Sequence, residues 1–130
     1  MLRNLLTRRR LVCLTAAVMA AGILAATQAQ AHAHLKSSVP AANATVTAAP
    51  TSLILTFGES IEPKFSGATI TGPDMKAVKT GPATGDPKDP ASLIVPITET
   101  LAAGKYTVDW RNLSVDGHKL KGSFTFTVKL

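Results

Sequence analysis

Three histidines stand where a single metal site could be assembled from them: His32, His34 and His118. The first two lie in Ala29-Gln30-Ala31-His32-Ala33-His34, where Ala29 and Ala31 satisfy the small-x-small rule for signal cleavage. A cut after Ala31 makes His32 the N-terminal residue. It then offers two nitrogens, the free α-amine and the ring Nδ1, which can close a chelate on one ion. An α-amine has a reference pKa of about 7.7–8.0, so a metal can displace its proton near neutrality. Ala31 and Ala33 satisfy the same rule, and a cut there would put His34 at the terminus instead. His118 closes Ser114-Val115-Asp116-Gly117-His118, a turn-like stretch in which Asp116 can ligate directly or orient the ring. Taken alone, His118 is an ordinary loop histidine and Asp-Gly is common turn chemistry. The histidine created at a cleavage point, with a second two residues on, makes the metal reading the sharper one.

The donor set lacks sulfur. Cys13, the only cysteine, falls in the segment that cleavage removes, and Met75 is the single methionine beyond it. That excludes a disulfide, a catalytic cysteine, a cysteine zinc site and a blue-copper centre. Nitrogen and carboxylate donors suit Cu(II), Ni(II) or Zn(II). Copper leads in raw affinity and favours tetragonal nitrogen–oxygen geometry. Two geometries are open. A local one wraps the ion with the amine, two deprotonated backbone amides and the His34 ring. The other brings His118 across the fold to the His32 amine and ring.

Ahead of the cleavage point, Arg3, Arg8, Arg9 and Arg10 precede an apolar run from Leu11 to Ala26, about sixteen residues long. A membrane span needs about 20, so residues 1–31 are expected to be a signal peptide and residues 32–130 the working domain. The paired arginines before Leu11-Val12 resemble a twin-arginine export address, although an ordinary secretory signal also begins with basic residues. Either route ends outside the cytoplasm, most simply in a bacterial periplasm. The whole chain carries a formal +6 and a pI near 9.8, but residues 32–130 carry 10 Lys+Arg against 8 Asp+Glu, a net +2. A nucleic-acid partner is therefore not expected, nor is membrane insertion of the mature domain.

The elements that must position these donors are strands. Leu53, Leu55 and Phe57 alternate with Ser52, Ile54 and Thr56; Tyr106, Val108 and Trp110 alternate with Lys105, Thr107 and Asp109; Phe124, Phe126 and Val128 alternate with Ser123, Thr125 and Thr127. Further strands are expected over Leu35–Val39, Gly67–Thr71, Lys76–Lys79 and Leu93–Ile97. With three prolines in ten residues, 81–90 reads as loop. No window has the periodicity of an amphipathic helix. Trp110 and the four phenylalanines are expected in the core, and Lys119, Lys121 and Lys129 at solvated strand positions. The expected fold is all-β: a seven-stranded Greek-key β-sandwich or barrel of immunoglobulin or cupredoxin type.

A set of ordered segments resembles the CopC family of periplasmic copper-binding proteins. They are His32-Ala33-His34-Leu35, Pro40-Ala41-Ala42-Asn43, Leu55-Thr56-Phe57-Gly58-Glu59, Phe65-Ser66-Gly67-Ala68 and Gly104 through Arg111, running on to Ser114-Val115-Asp116-Gly117-His118. The resemblance implies one Cu(II) per chain, held by the His32 amine and ring and by the His118 ring. Asp116 is implied as a ligand or close partner, and Glu59 as an acidic neighbour; read without it, Glu59 is also simply a charged loop residue beside Glu62. The methionine-rich Cu(I) loop of the family should follow Gly67. Here that region is Thr71-Gly72-Pro73-Asp74-Met75-Lys76, which implies a member that takes Cu(II) only. The implied role is a monomeric carrier or buffer in copper homeostasis or resistance, working with a CopD-like inner-membrane copper transport partner. Two other classes compete. One is a copper-brace oxidative enzyme resembling a lytic polysaccharide monooxygenase, which the core-like pattern of Tyr106 and Trp110 disfavours for want of an aromatic platform. The other is an adhesive or structural sandwich that binds no metal.

Overall fold

A computed structural model describes residues 35–130; the leader expected over residues 1–31 lies outside the described residues, as do His32 and His34. The strands are β1 (Leu35–Val39), β2 (Thr45–Val46), β3 (Ser52–Phe57), β4 (Gly67–Thr71), β5 (Thr84–Asp86), β6 (Asp89–Pro96), β7 (Gly104–Leu113) and β8 (Lys119–Val128). They form two four-stranded sheets, ordered β1-β3-β6-β5 and β2-β8-β7-β4. All neighbours are antiparallel except β2 and β8, which are parallel. The chain crosses from sheet to sheet repeatedly, as a Greek-key sandwich requires. The all-β sandwich expected from the alternation is the fold, with eight strands in place of seven. No helix among the described residues is long and apolar enough to cross a membrane.

Period-two alternation builds the core. Leu53, Leu55 and Phe57 from β3 face Tyr106, Val108 and Trp110 from β7, joined by Leu93, Val95, Ile70, Phe126 and Val128. Each such side chain contributes about 1.5–3 kcal/mol when fully buried, and this burial holds a domain that has no cross-link. Phe57 and Trp110 pack with ring centroids 5.3 Å apart at 60°, while Tyr106 and Phe126 stack at 5.4 Å and 13°. The buried Tyr106 keeps its hydroxyl satisfied by donating to the Ala102 carbonyl at 2.7 Å. That contact fastens the β6–β7 connection to the start of β7, and burial raises the phenol's pKa. Among the described residues one buried polar atom, Asn112 Oδ1, has no hydrogen-bond partner.

Four expectations need correction. Lys76–Lys79 is not a strand. Gly72 donates to Lys76 at 2.9 Å, closing a tight turn after β4, and only Ala77 and Val78 touch β4 before the chain departs. Residues 81–90 are not simply loop, since β5 and the start of β6 form a hairpin there. Its prolines are accommodated locally: Pro87 lies in the two-residue turn between Asp86 and Asp89, and Pro90 lies beyond the stretch of β6 paired with β3. Asp86 and Asp89 accept from the Lys88 and Ala91 amides at 2.9 and 3.0 Å, so side chains satisfy what a ladder would otherwise satisfy. The added β2 is two residues long, too short to show a period; it is held to β8 by main-chain bonds from Asn43, Thr127 and Lys129. Phe65, expected in the core, is 65% exposed at the end of a 3-10 turn (Pro63–Phe65) that buries none of its residues.

Trp110 pairs with Gly122 across the β7–β8 ladder, and its ring lies over the glycine: a Cβ there would meet Trp110 Cζ2 at 2.4 Å. Gly122→Ala should displace the ring and cost about 1–3 kcal/mol, the usual range for overpacking. Denaturant melts should show a lower midpoint with the m-value unchanged, and Trp110, the sole tryptophan, should shift its emission.

Candidate metal centre

The β7–β8 hairpin carries the centre at its tip. Ten consecutive pairs run from Gly104↔Val128 to Leu113↔Lys119, and Ser114 closes the ladder by donating to the His118 carbonyl at 2.9 Å. Val115, Asp116 and Gly117 make the turn, with the Gly117 amide returning to the Ser114 carbonyl at 2.9 Å. Gly117 has φ +95°, a conformation that disfavours side chains, which is why Asp-Gly stands here. The turn presents Asp116 and His118 outward on the same side.

Ser114 organises the turn from within. Only 2% exposed, its hydroxyl donates to the Asp116 carboxylate and accepts from the His118 backbone amide at 3.0 Å. The Asp116 carboxyl is consequently held below the ordinary carboxylate range. The Ser114 hydrogen bond is the main cause, opposed by some desolvation and assisted by the His118 ring, Glu59 and the His118 amide. Asp116 Oδ1 lies 3.3 Å from His118 Nδ1, and both side chains stand more than half exposed.

Glu59 arrives from the other sheet. It follows β3 directly, on a segment tied to the hairpin by main-chain bonds: Val115 donates to Ser60 at 3.0 Å and Glu62 donates to Leu113 at 2.8 Å. Ser66 Oγ adds to the seam, donating to the Glu62 carbonyl and accepting from Leu113. The result brings one donor atom each from Glu59, Asp116 and His118 within 4.8 Å of one another. Three exposed groups, two of them carboxylates, thus converge on one point. The imidazole nitrogen and carboxylate oxygens suit a borderline divalent ion, and the site holds no thiol or thioether that would favour a soft one.

The structure therefore brings together three of the five residues singled out from sequence. His32 and His34 lie outside the described residues. Ser114, which sequence reasoning quoted only as part of a motif, is the positioning residue it missed. The available signal was the Ser-x-Asp-Gly-His spacing, in which a serine can bond to both its second and fourth neighbours.

Comparison with known proteins agrees along most of the described chain. The family model described as "CopC domain" matches residues 35–129. Protein YobA of Escherichia coli K12 is 56% identical over 99 residues, which are 76% of this chain and 80% of that protein. Copper resistance protein C of Pseudomonas syringae pv. tomato is 38% identical over 117 residues, 86% of this chain and 92% of that one. Among solved structures, CopC from Methylosinus trichosporium OB3b superposes with a TM-score of 0.68 at 37% identity, covering 75% of this chain and 94% of its own. PcoC, described as a methionine-rich copper resistance protein from Escherichia coli, gives 0.66 at 42% identity, covering 76% of this chain and all of its own (100%). With the family match spanning β1 to the end of β8, and these two relatives covered over 80% and 92% of their lengths, the chain belongs to the CopC family.

Proposed function

We propose that this protein is an exported, periplasmic Cu(II) carrier or buffer in copper homeostasis or resistance. In this reading residues 1–31 are its signal peptide and one ion is bound per chain. The observation that carries it is the convergence of Glu59, Asp116 and His118 in a member of the CopC family. Residues 32–130 supply no sulfur beyond Met75, whose side chain is 83% exposed on a turn, in contrast to a relative described as methionine-rich. Copper bound by nitrogen and carboxylate alone is held as Cu(II).

His32 completes the set. Leu35, the first described residue, pairs with Phe57, two positions before Glu59, and only Ala33 and His34 separate Leu35 from His32. The three residue steps from Leu35 to His32 span about 10 Å when extended, and in this reading they carry the free His32 amine and ring past the end of β3 to join His118 on the ion. Asp116, fixed by Ser114, then ligates or orients His118, and Glu59 balances the ion's charge from across the seam. The cross-fold geometry is favoured over the local His34 motif because the Ser114 turn holds the His118 backbone, with Asp116 3.3 Å from its ring, and the first strand constrains the backbone that the local motif must wrap. A carrier role, in place of an oxidative enzyme, is favoured because Tyr106 and Trp110 are buried and offer no platform to a polysaccharide. The ion is cargo here, exchanged with a CopD-like membrane partner, and the monomer suffices to bind it.

Three measurements test the reading. A protein that keeps one extra residue ahead of His32 should bind Cu(II) at least about 100-fold more weakly than the processed form, beyond the loss typical of an outer-shell partner. Equal affinities in a competition titration remove the amine from the mechanism. In the same titration His118→Ala should be the worse lesion than His34→Ala, and unfolding should weaken binding; the reverse order, with tight binding by the unfolded chain, assigns the ion to the local motif. Met75→Leu should leave Cu(II) affinity within about twofold, and a large loss of Cu(I) affinity would overturn the Cu(II)-only assignment.

A further inference from the structure

Beside the metal centre, on the same end of the β7–β8 hairpin, runs a half-open groove of about 640 Å³ that the copper reading does not use. Its apolar surface comes from Phe65 and Leu120, and its charge from Arg111, Lys119 and Lys121. Arg111 and Lys121 sit directly opposite each other in the ladder, an arrangement that costs stability when the charges are alike. Lys119 lies two residues before Lys121, on the same face of the strand. Among the described residues none of the three forms an ion pair with a carboxylate. The mature domain has a net charge of only +2, so three of its ten basic residues in one groove are a concentration that the overall charge does not explain. The Phe65 ring, 65% exposed, adds apolar area to this charged surface. Lys119 and Leu120 also line the cleft that contains Glu59 and His118, so groove and metal donors form one continuous surface.

We propose that this groove docks an acidic, apolar-bearing peptide segment of the protein that exchanges copper with the Glu59–Asp116–His118 centre. The proposal rests on the copper reading above for the partner's purpose, but not for the binding itself. Carboxylates of the segment pair with Arg111, Lys119 and Lys121, relieving the repulsion across the ladder, and its apolar side chains cover Phe65 and Leu120. A recessed channel suits a chain entering it lengthwise better than the flat plane of a bilayer. A segment seated there places its owner within reach of the ion, and basic groups at the mouth steer an acidic partner toward it.

The test uses the processed, full mature protein and a fluorescein-labelled, end-blocked twelve-residue peptide of alternating Glu and Leu, read by anisotropy at low salt. Lys121→Glu is compared with Lys129→Glu, the same charge change just past the far end of the same strand, about 27 Å away at the rise of an extended chain. The expected result is binding of the peptide, weakened at least fivefold by Lys121→Glu and less than twofold by Lys129→Glu. Cu(II) affinity should stay within twofold in both variants. No peptide binding, or equal weakening by the two variants, overturns the proposal. So does tighter retention on phosphatidylglycerol vesicles than on the peptide, which assigns the surface to a membrane. Failure of the wild-type protein to bind Cu(II) would instead sink the copper reading and leave the peptide result standing by itself.

Discussion

The β7–β8 ladder governs both the core and the site. Its ten pairs turn Tyr106, Val108 and Trp110 inward and project the Ser114–His118 turn beyond the sheet. Because side chains alternate with period two, a one-residue slip would expel all three core residues at once, so core burial pins the register. The same register places Gly122 beneath the Trp110 ring and sets where the ladder stops and Ser114 must turn the chain. The position of the candidate metal donors is thus a consequence of hydrophobic packing some distance away from them.

The centre itself is a balance between exposure and order. Asp116 and His118 stand more than half exposed, which limits their desolvation cost and leaves them accessible from solvent. Exposed side chains are normally mobile, and here the order comes from the buried Ser114 hydroxyl and from main-chain bonds joining the Glu59–Glu62 segment to the hairpin. The Ser114 hydrogen bond also lowers the Asp116 pKa, which extends to lower pH the range over which its carboxylate is ionised. The site couples the two sheets, since Glu59 extends from β3 in one and His118 leads into β8 in the other.

Where alternation was long, the strands were legible in advance: β3, β7 and β8 carry the expected inward faces, and the shorter β1 and β4 occur at the bounds expected for them. Prolines misled the reading of 81–90, because Pro87 and Pro90 read as breakers until Asp86 and Asp89 are seen to take over the local hydrogen bonding. Phe65 misled in the opposite sense. Hydropathy says that a phenylalanine should be buried, yet a 3-10 turn at the sheet edge carries its ring outward, where it flanks the basic groove.

By itself the sequence determined the chemistry on offer: histidines and carboxylates, with Met75 the lone sulfur of residues 32–130, and enough period-two alternation to demand a sandwich. These are local properties, readable from residue type and spacing. Which donors meet was decided only by the tertiary structure. Glu59 and Asp116 are more than fifty residues apart in the chain and come within one ligand sphere because main-chain bonds close the seam between the sheets. The facing of Arg111 and Lys121 across the ladder is of the same kind, since pairing between distant strands is set by how the whole core packs and leaves no mark in either strand alone.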